Sequence, residues 1–132
     1  MADHVKTMRS QLGRARGLGA AKSGVEHWWA ERVGAVALVP LSLWFVVSVI
    51  SLLGADQPSV AAWAGHPLNA ALLLALIVTT FHHAQLGLQV VYEDYIHTAG
   101  LRTAAILATK GAAYLLALLA VLSVGKLFFL TH

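Results

Sequence analysis

The sequence contains no cysteine. Disulfides, thiolate metal sites and a cysteine nucleophile are therefore excluded, and any metal must be held by histidine or carboxylates. Charge is also scarce. Only 11% of the 132 residues are charged, against 58% hydrophobic, whereas a soluble domain carries roughly 25% charged residues. So short a soluble chain would leave most of that apolar surface in water, because small folds bury only part of what they unfold from. Lipid is the expected solvent. There is no flavin fingerprint, nucleotide-binding loop or Cys cluster, which argues against a self-sufficient redox enzyme. No internal repeat is visible, and three spans do not divide into the equal inverted halves that build many transporters.

Aromatic residues are absent from Met1 to Gly24, where six of the nine basic residues gather or soon follow: Lys6, Arg9, Arg14, Arg16, Lys22 and Arg32. A nucleic-acid partner is not expected, since base-reading or stacking side chains are missing among those charges. The pattern reads instead as a cytoplasmic retention signal ahead of a membrane span. Residues 1–24 are rich in Gly, Ala, Ser and basic side chains without a sustained apolar stripe, so a flexible basic tail is expected. A cleaved signal peptide fits poorly, because the apolar run that follows is too long for an h-region. The Arg-containing, nearly acid-free composition also suits a transit peptide.

Residues 25–132 then read as one all-α membrane domain with spans at about 33–53, 68–91 and 104–130, each near the ~20 residues that cross a ~30 Å hydrocarbon layer. Trp28, Trp29, Glu31 and Arg32 form an interfacial collar before the first span. Pro40 lies within that span, where a mild kink is expected. The segment Gly54–Pro67 contains neither Lys nor Arg and is expected outside. The polar stretch Tyr92–Arg102 is expected to be a loop on the cytoplasmic side. Lys110 and Lys126 lie near the two ends of the third span, where long stems can snorkel.

The second span carries Thr79-Thr80-Phe81-His82-His83-Ala84-Gln85-Leu86-Gly87-Leu88-Gln89. Two histidines and two glutamines within apolar surroundings cost free energy unless they face a partner, a cofactor or a cavity. Hydrogen bonding between helices, worth about 0.6–2 kcal/mol each, is one account. Spacing adds a second. His83 and Asp94 are eleven residues apart, and eleven steps of about 100° bring them to one face, roughly 16 Å apart along the axis. Gly87, one turn beyond His83, offers no side chain and leaves room for a flat ligand or a neighbouring helix. Neutral imidazole is a good axial ligand for heme iron. A Tyr hydroxyl and a carboxylate at the aqueous boundary, Tyr95 and Asp94, suit a quinone that needs a hydrogen-bond donor and a proton source.

The segment His83-Ala84-Gln85-Leu86-Gly87-Leu88-Gln89-Val90-Val91-Tyr92-Glu93-Asp94-Tyr95 resembles the motif of the D-type hydrophobic membrane anchor subunit of succinate dehydrogenase. The stretch from Glu26-His27-Trp28-Trp29 through Arg32 to Pro40-Leu41 is similar to the entry helix of its alphaproteobacterial members. The resemblance extends over nearly everything after residue 24. It implies half of a heterodimeric helix bundle, paired with a second, C-type anchor and docked by an iron-sulfur subunit and a flavoprotein. It further implies that His83 is an axial ligand of a heme b shared with the second anchor. Tyr95 would donate to a ubiquinone carbonyl, with Asp94 as its acidic neighbour, and Arg32 would meet the heme propionates. Arg32 also suits a purely topological role. By the same resemblance His82, about 100° from His83, packs or lies toward the propionates.

These readings converge on a non-catalytic anchor subunit of succinate:ubiquinone oxidoreductase in a bacterial inner membrane, amino terminus cytoplasmic, with a mitochondrial inner membrane second. The alternatives are the anchor of a fumarate-reducing complex, and a non-redox scaffold or small transport subunit whose polar residues only join helices.

Overall fold

The computed structural model describes residues 21–131, with side-chain environments for residues 24–130. Most of the stretch read as a flexible tail therefore lies outside the described residues. Four helices follow in order: α1 (Ala21–Ser51), α2 (Gln57–Gly65), α3 (Pro67–Tyr95) and α4 (Ala99–Thr131). Three of them, α1, α3 and α4, are long and apolar enough to cross a membrane.

The helices are longer than the hydropathy pattern suggested. α1 begins at Ala21, within the expected tail, and α4 at Ala99. The supposed loop Tyr92–Arg102 reduces to the three residues 96–98 between α3 and α4. Apolar runs mark the hydrocarbon crossing, whereas helical hydrogen bonding continues through the headgroup region until a cap ends it. α1 passes through Pro40 without interruption. Serine hydroxyls bond back to their own helices, as in the buried Ser48 Oγ to the Trp44 carbonyl at 2.8 Å and the exposed Ser123 Oγ to the Leu119 carbonyl at 2.8 Å. Back-bonding of this kind satisfies a hydroxyl that lipid cannot.

The segment expected as an outer loop holds α2. Gly54 turns the chain at φ 83°, a left-handed conformation that a residue with a β-carbon resists. Asp56 caps α2, its carboxylate accepting from the Ser59 N–H at 3.1 Å. Hydrogen bonds from the Ser59 side chain and backbone hold the Asp56 carboxyl below the usual carboxylate range. At the other end of α2, Asn69 Nδ2 donates to the Trp63 carbonyl at 2.9 Å. Pro67 starts α3 in the first turn, where a missing N–H costs nothing.

The tightest packing lies beside α2. Ala64, Ala70, Leu73 and Val124 form a buried cluster, flanked by Trp44 and Trp63, whose rings stack at 5.8 Å and 22°. α3 is the central helix: it packs on α1 and on α4, whereas α1 and α4 do not pack on one another among the described residues. Only 11% of the most apolar window of each span is buried within the chain. The remainder must be covered by lipid or by another protein.

Candidate functional site

Along α3 the polar residues separate by face. His83 is half-buried and turned toward α1, where its ring lies on Gly34: a β-carbon at Gly34 would stand 3.5 Å from His83 Nδ1 and 3.7 Å from His83 Cβ. His83 Nδ1 is sealed without a hydrogen-bond partner, while Nε2 is not among the sealed atoms. Packing thus fixes the ring and leaves Nε2 as the nitrogen able to reach outward. His82 is exposed and lines a cleft on the opposite side, between α3 and α4.

Asp94 and Tyr95 form the end of α3 and are exposed, Tyr95 to 77%. The Ile96 N–H donates to the Tyr92 carbonyl at 3.0 Å and closes the last turn. Some neighbouring polar groups are already engaged, although Gln89 Oε1 is sealed without a partner. Gln89 Nε2 donates to Glu93 Oε1 at 2.8 Å, and Thr109 Oγ1 to the Tyr92 hydroxyl at 3.0 Å, the latter joining α3 to α4. The Asp94 carboxylate and Tyr95 hydroxyl make no hydrogen bond within the described residues and remain free for a ligand. His83, Gly87, Val90 and Asp94 occupy one stripe of α3 at helical spacing, with Tyr95 about 100° around from Asp94.

Arg32 does not join that stripe. It is two residues, about 200°, from Gly34 on α1 and so lies on the side facing away from His83. There it is exposed, with Cζ 5.4 Å from the Trp28 ring centroid, a cation–π distance. The sequence reading passed over His27. Seven residues before Gly34, about two turns, it shares the face toward α3, and its Nε2 is sealed without a partner. The signal for it was that seven-residue spacing, readable only once Gly34 is known to face α3.

Among the described residues no three His, Cys, Asp or Glu side chains gather to hold a bare metal ion. A single axial ligand to heme needs an imidazole with a fixed ring and an outward nitrogen, and the His83 ring has both features.

Three helices long and apolar enough to cross a membrane define a multi-pass membrane protein. The profile of the family described as succinate dehydrogenase/fumarate reductase transmembrane subunit matches residues 6–124. The chain belongs to this family. It is 37% identical over 102 residues to a succinate dehydrogenase hydrophobic membrane anchor subunit of Rickettsia bellii, covering 77% of this chain and 82% of the relative. The corresponding subunit of Paracoccus denitrificans is 34% identical over 93 residues, 70% of this chain and 71% of the relative. A succinate dehydrogenase membrane anchor subunit of Reclinomonas americana is 32% identical over 79 residues, 58% of this chain and 66% of the relative. No solved structure matches the chain at comparable significance.

Proposed function

We propose that this chain is the membrane anchor of a succinate:ubiquinone oxidoreductase, in which it contributes one axial heme ligand and part of the quinone site. The observation that carries the reading is the arrangement on α3: His83 with its ring set by Gly34, and the unpaired Asp94 and Tyr95 on the turn that ends the same helix. His83 would hold the iron of a heme b, the second ligand coming from a C-type anchor. Bound there, the heme would supply a one-electron reservoir beside the quinone site.

The Tyr95 hydroxyl donates to a quinone carbonyl, lowering the cost of the charge that builds on that oxygen as electrons arrive. Asp94, beside it at the aqueous boundary, passes protons from water to the reduced ring. Full reduction takes two electrons and two protons. The electrons come from succinate through a flavoprotein and an iron-sulfur subunit, neither of which has a counterpart in this chain. Arg32 is exposed and can take an anionic group such as a heme propionate, but only from the outer side of α1.

The six basic residues up to Arg32 and the uncharged-to-acidic turn around α2 support an inner, cytoplasmic membrane with the amino terminus inside. The family description covers fumarate reduction as well, but the relatives compared above are all succinate dehydrogenase subunits, which favours the succinate direction. The test is the reduced-minus-oxidised visible spectrum of the purified complex. A b-type heme signal is expected; its absence from an intact complex would reduce the chain to a scaffold.

A further inference from the structure

Tyr92 follows His83 by nine residues, about two and a half turns, and so leaves α3 on the face opposite the one that meets α1. There Thr109 Oγ1 donates to its hydroxyl at 3.0 Å, the one side-chain to side-chain hydrogen bond that joins two spans among the described residues. Both residues are half-buried. Side chains on a helix lean toward its amino terminus, so the phenol runs back from the end of α3 into the bilayer, where little water competes for the bond. The Tyr92 backbone is engaged as well. Its carbonyl accepts from the Ile96 N–H at 3.0 Å and closes the turn that carries Asp94 and Tyr95. The side chains of Asp94 and Tyr95 have no hydrogen bond of their own among the described residues, so their aim follows that of the turn.

We infer that the Tyr92–Thr109 hydrogen bond is the positioning element of the quinone site. It sets the rotation of the last turn of α3, and with it the directions in which Tyr95 presents its hydroxyl and Asp94 its carboxylate. The inference rests on the reading of Asp94 and Tyr95 as the quinone-facing pair. α3 is held on two opposite faces at two depths: His83 rests on Gly34 of α1, and about 14 Å nearer the end of the helix Tyr92 is tied to α4. Cutting the second tie frees the terminal turn while the first still fixes the imidazole. A shift of about 1 Å in a donor is enough to spoil a well-aligned hydrogen bond, so the two hydroxyls govern quinone binding without touching the quinone.

The test uses the assembled complex in its native membranes, with succinate as electron donor and decylubiquinone as acceptor. Tyr92→Phe and Thr109→Val each delete one hydroxyl and keep the shape of the side chain. Each should raise the KM for decylubiquinone by about tenfold, the factor that corresponds to one misaligned hydrogen bond. Dye-linked succinate oxidation and the b-type heme spectrum should stay unchanged. The double variant should be no worse than either single one, because both hydroxyls act through one bond. Thr109→Ser, which keeps the donor, should retain the original KM. An unchanged KM in both single variants, additive defects in the double, or a heme spectrum that changes along with KM would overturn the inference. If Tyr95→Phe and Asp94→Asn are impaired while Tyr92→Phe and Thr109→Val are not, the positioning role alone is lost. If Tyr95→Phe and Asp94→Asn reduce decylubiquinone at the original rate, the quinone site lies elsewhere and the inference falls with it.

Discussion

His83 rests on Gly34: the ring of one span lies where a side chain on the neighbouring span would otherwise begin, with Nδ1 3.5 Å from the position of the missing β-carbon. That contact is at ordinary van der Waals distance, so one methyl can be tolerated but a branched chain cannot.

Gly34→Ala should therefore keep the heme signal of the complex, whereas Gly34→Leu should shift or broaden it by rotating His83. Overpacking of this kind costs about 1–3 kcal/mol. Visible spectra and the low-temperature EPR of the oxidised heme provide the readout. Identical spectra for both variants would show that the ring is not held by Gly34.

The two adjacent histidines make opposite predictions. His83→Ala should remove or alter the b-type spectrum, while His82→Ala, on the α4 side of the helix, should largely retain it. The reverse result would transfer the axial role to His82.

Tyr95→Phe preserves the ring and deletes the donor. Succinate:quinone activity should fall by an amount consistent with one lost hydrogen bond, about 1–3 kcal/mol, or about 5- to 150-fold. Succinate oxidation by a soluble dye that accepts electrons upstream should continue.

Asp94→Asn retains size and hydrogen bonding but no longer carries a proton. Quinone turnover and its pH profile should change while heme stays bound. An unmodified rate for this variant and for Tyr95→Phe in an assembled complex would place the quinone elsewhere.

Because the chain has no cysteine of its own, single cysteines at Ser59 in α2 and Thr98 in the α3–α4 turn report topology cleanly. An impermeant maleimide should label them from opposite sides of the membrane. Labelling from one side only would contradict three crossings.

The three spans were legible because about twenty apolar residues in a row leave few alternatives. His83 and Asp94 could be paired from eleven-residue periodicity alone, and their placement on one stripe of a continuous α3 follows from it. α2 was missed because Gly54, Asp56, Pro58 and Pro67 read as loop residues, although Asp56 followed by Pro58 and Ser59 is also how a capped helix begins. The stack of Trp44 on Trp63 joins residues from two elements and has no local signature. Arg32 illustrates a different limit. Its charge and position near the span were evident, but whether it turns toward His83 depends on which face of α1 meets α3, and Gly34 reveals that only in three dimensions.

Since α1 and α4 each pack on α3 and, among the described residues, not on one another, the spans form an open row rather than a closed ring. A row has two broad sides, and a second row of helices can be laid across either without prying any helix loose. Assembly with another anchor then becomes a lamination of two preformed layers, in which a flat molecule can be trapped between sheets of helices as they meet.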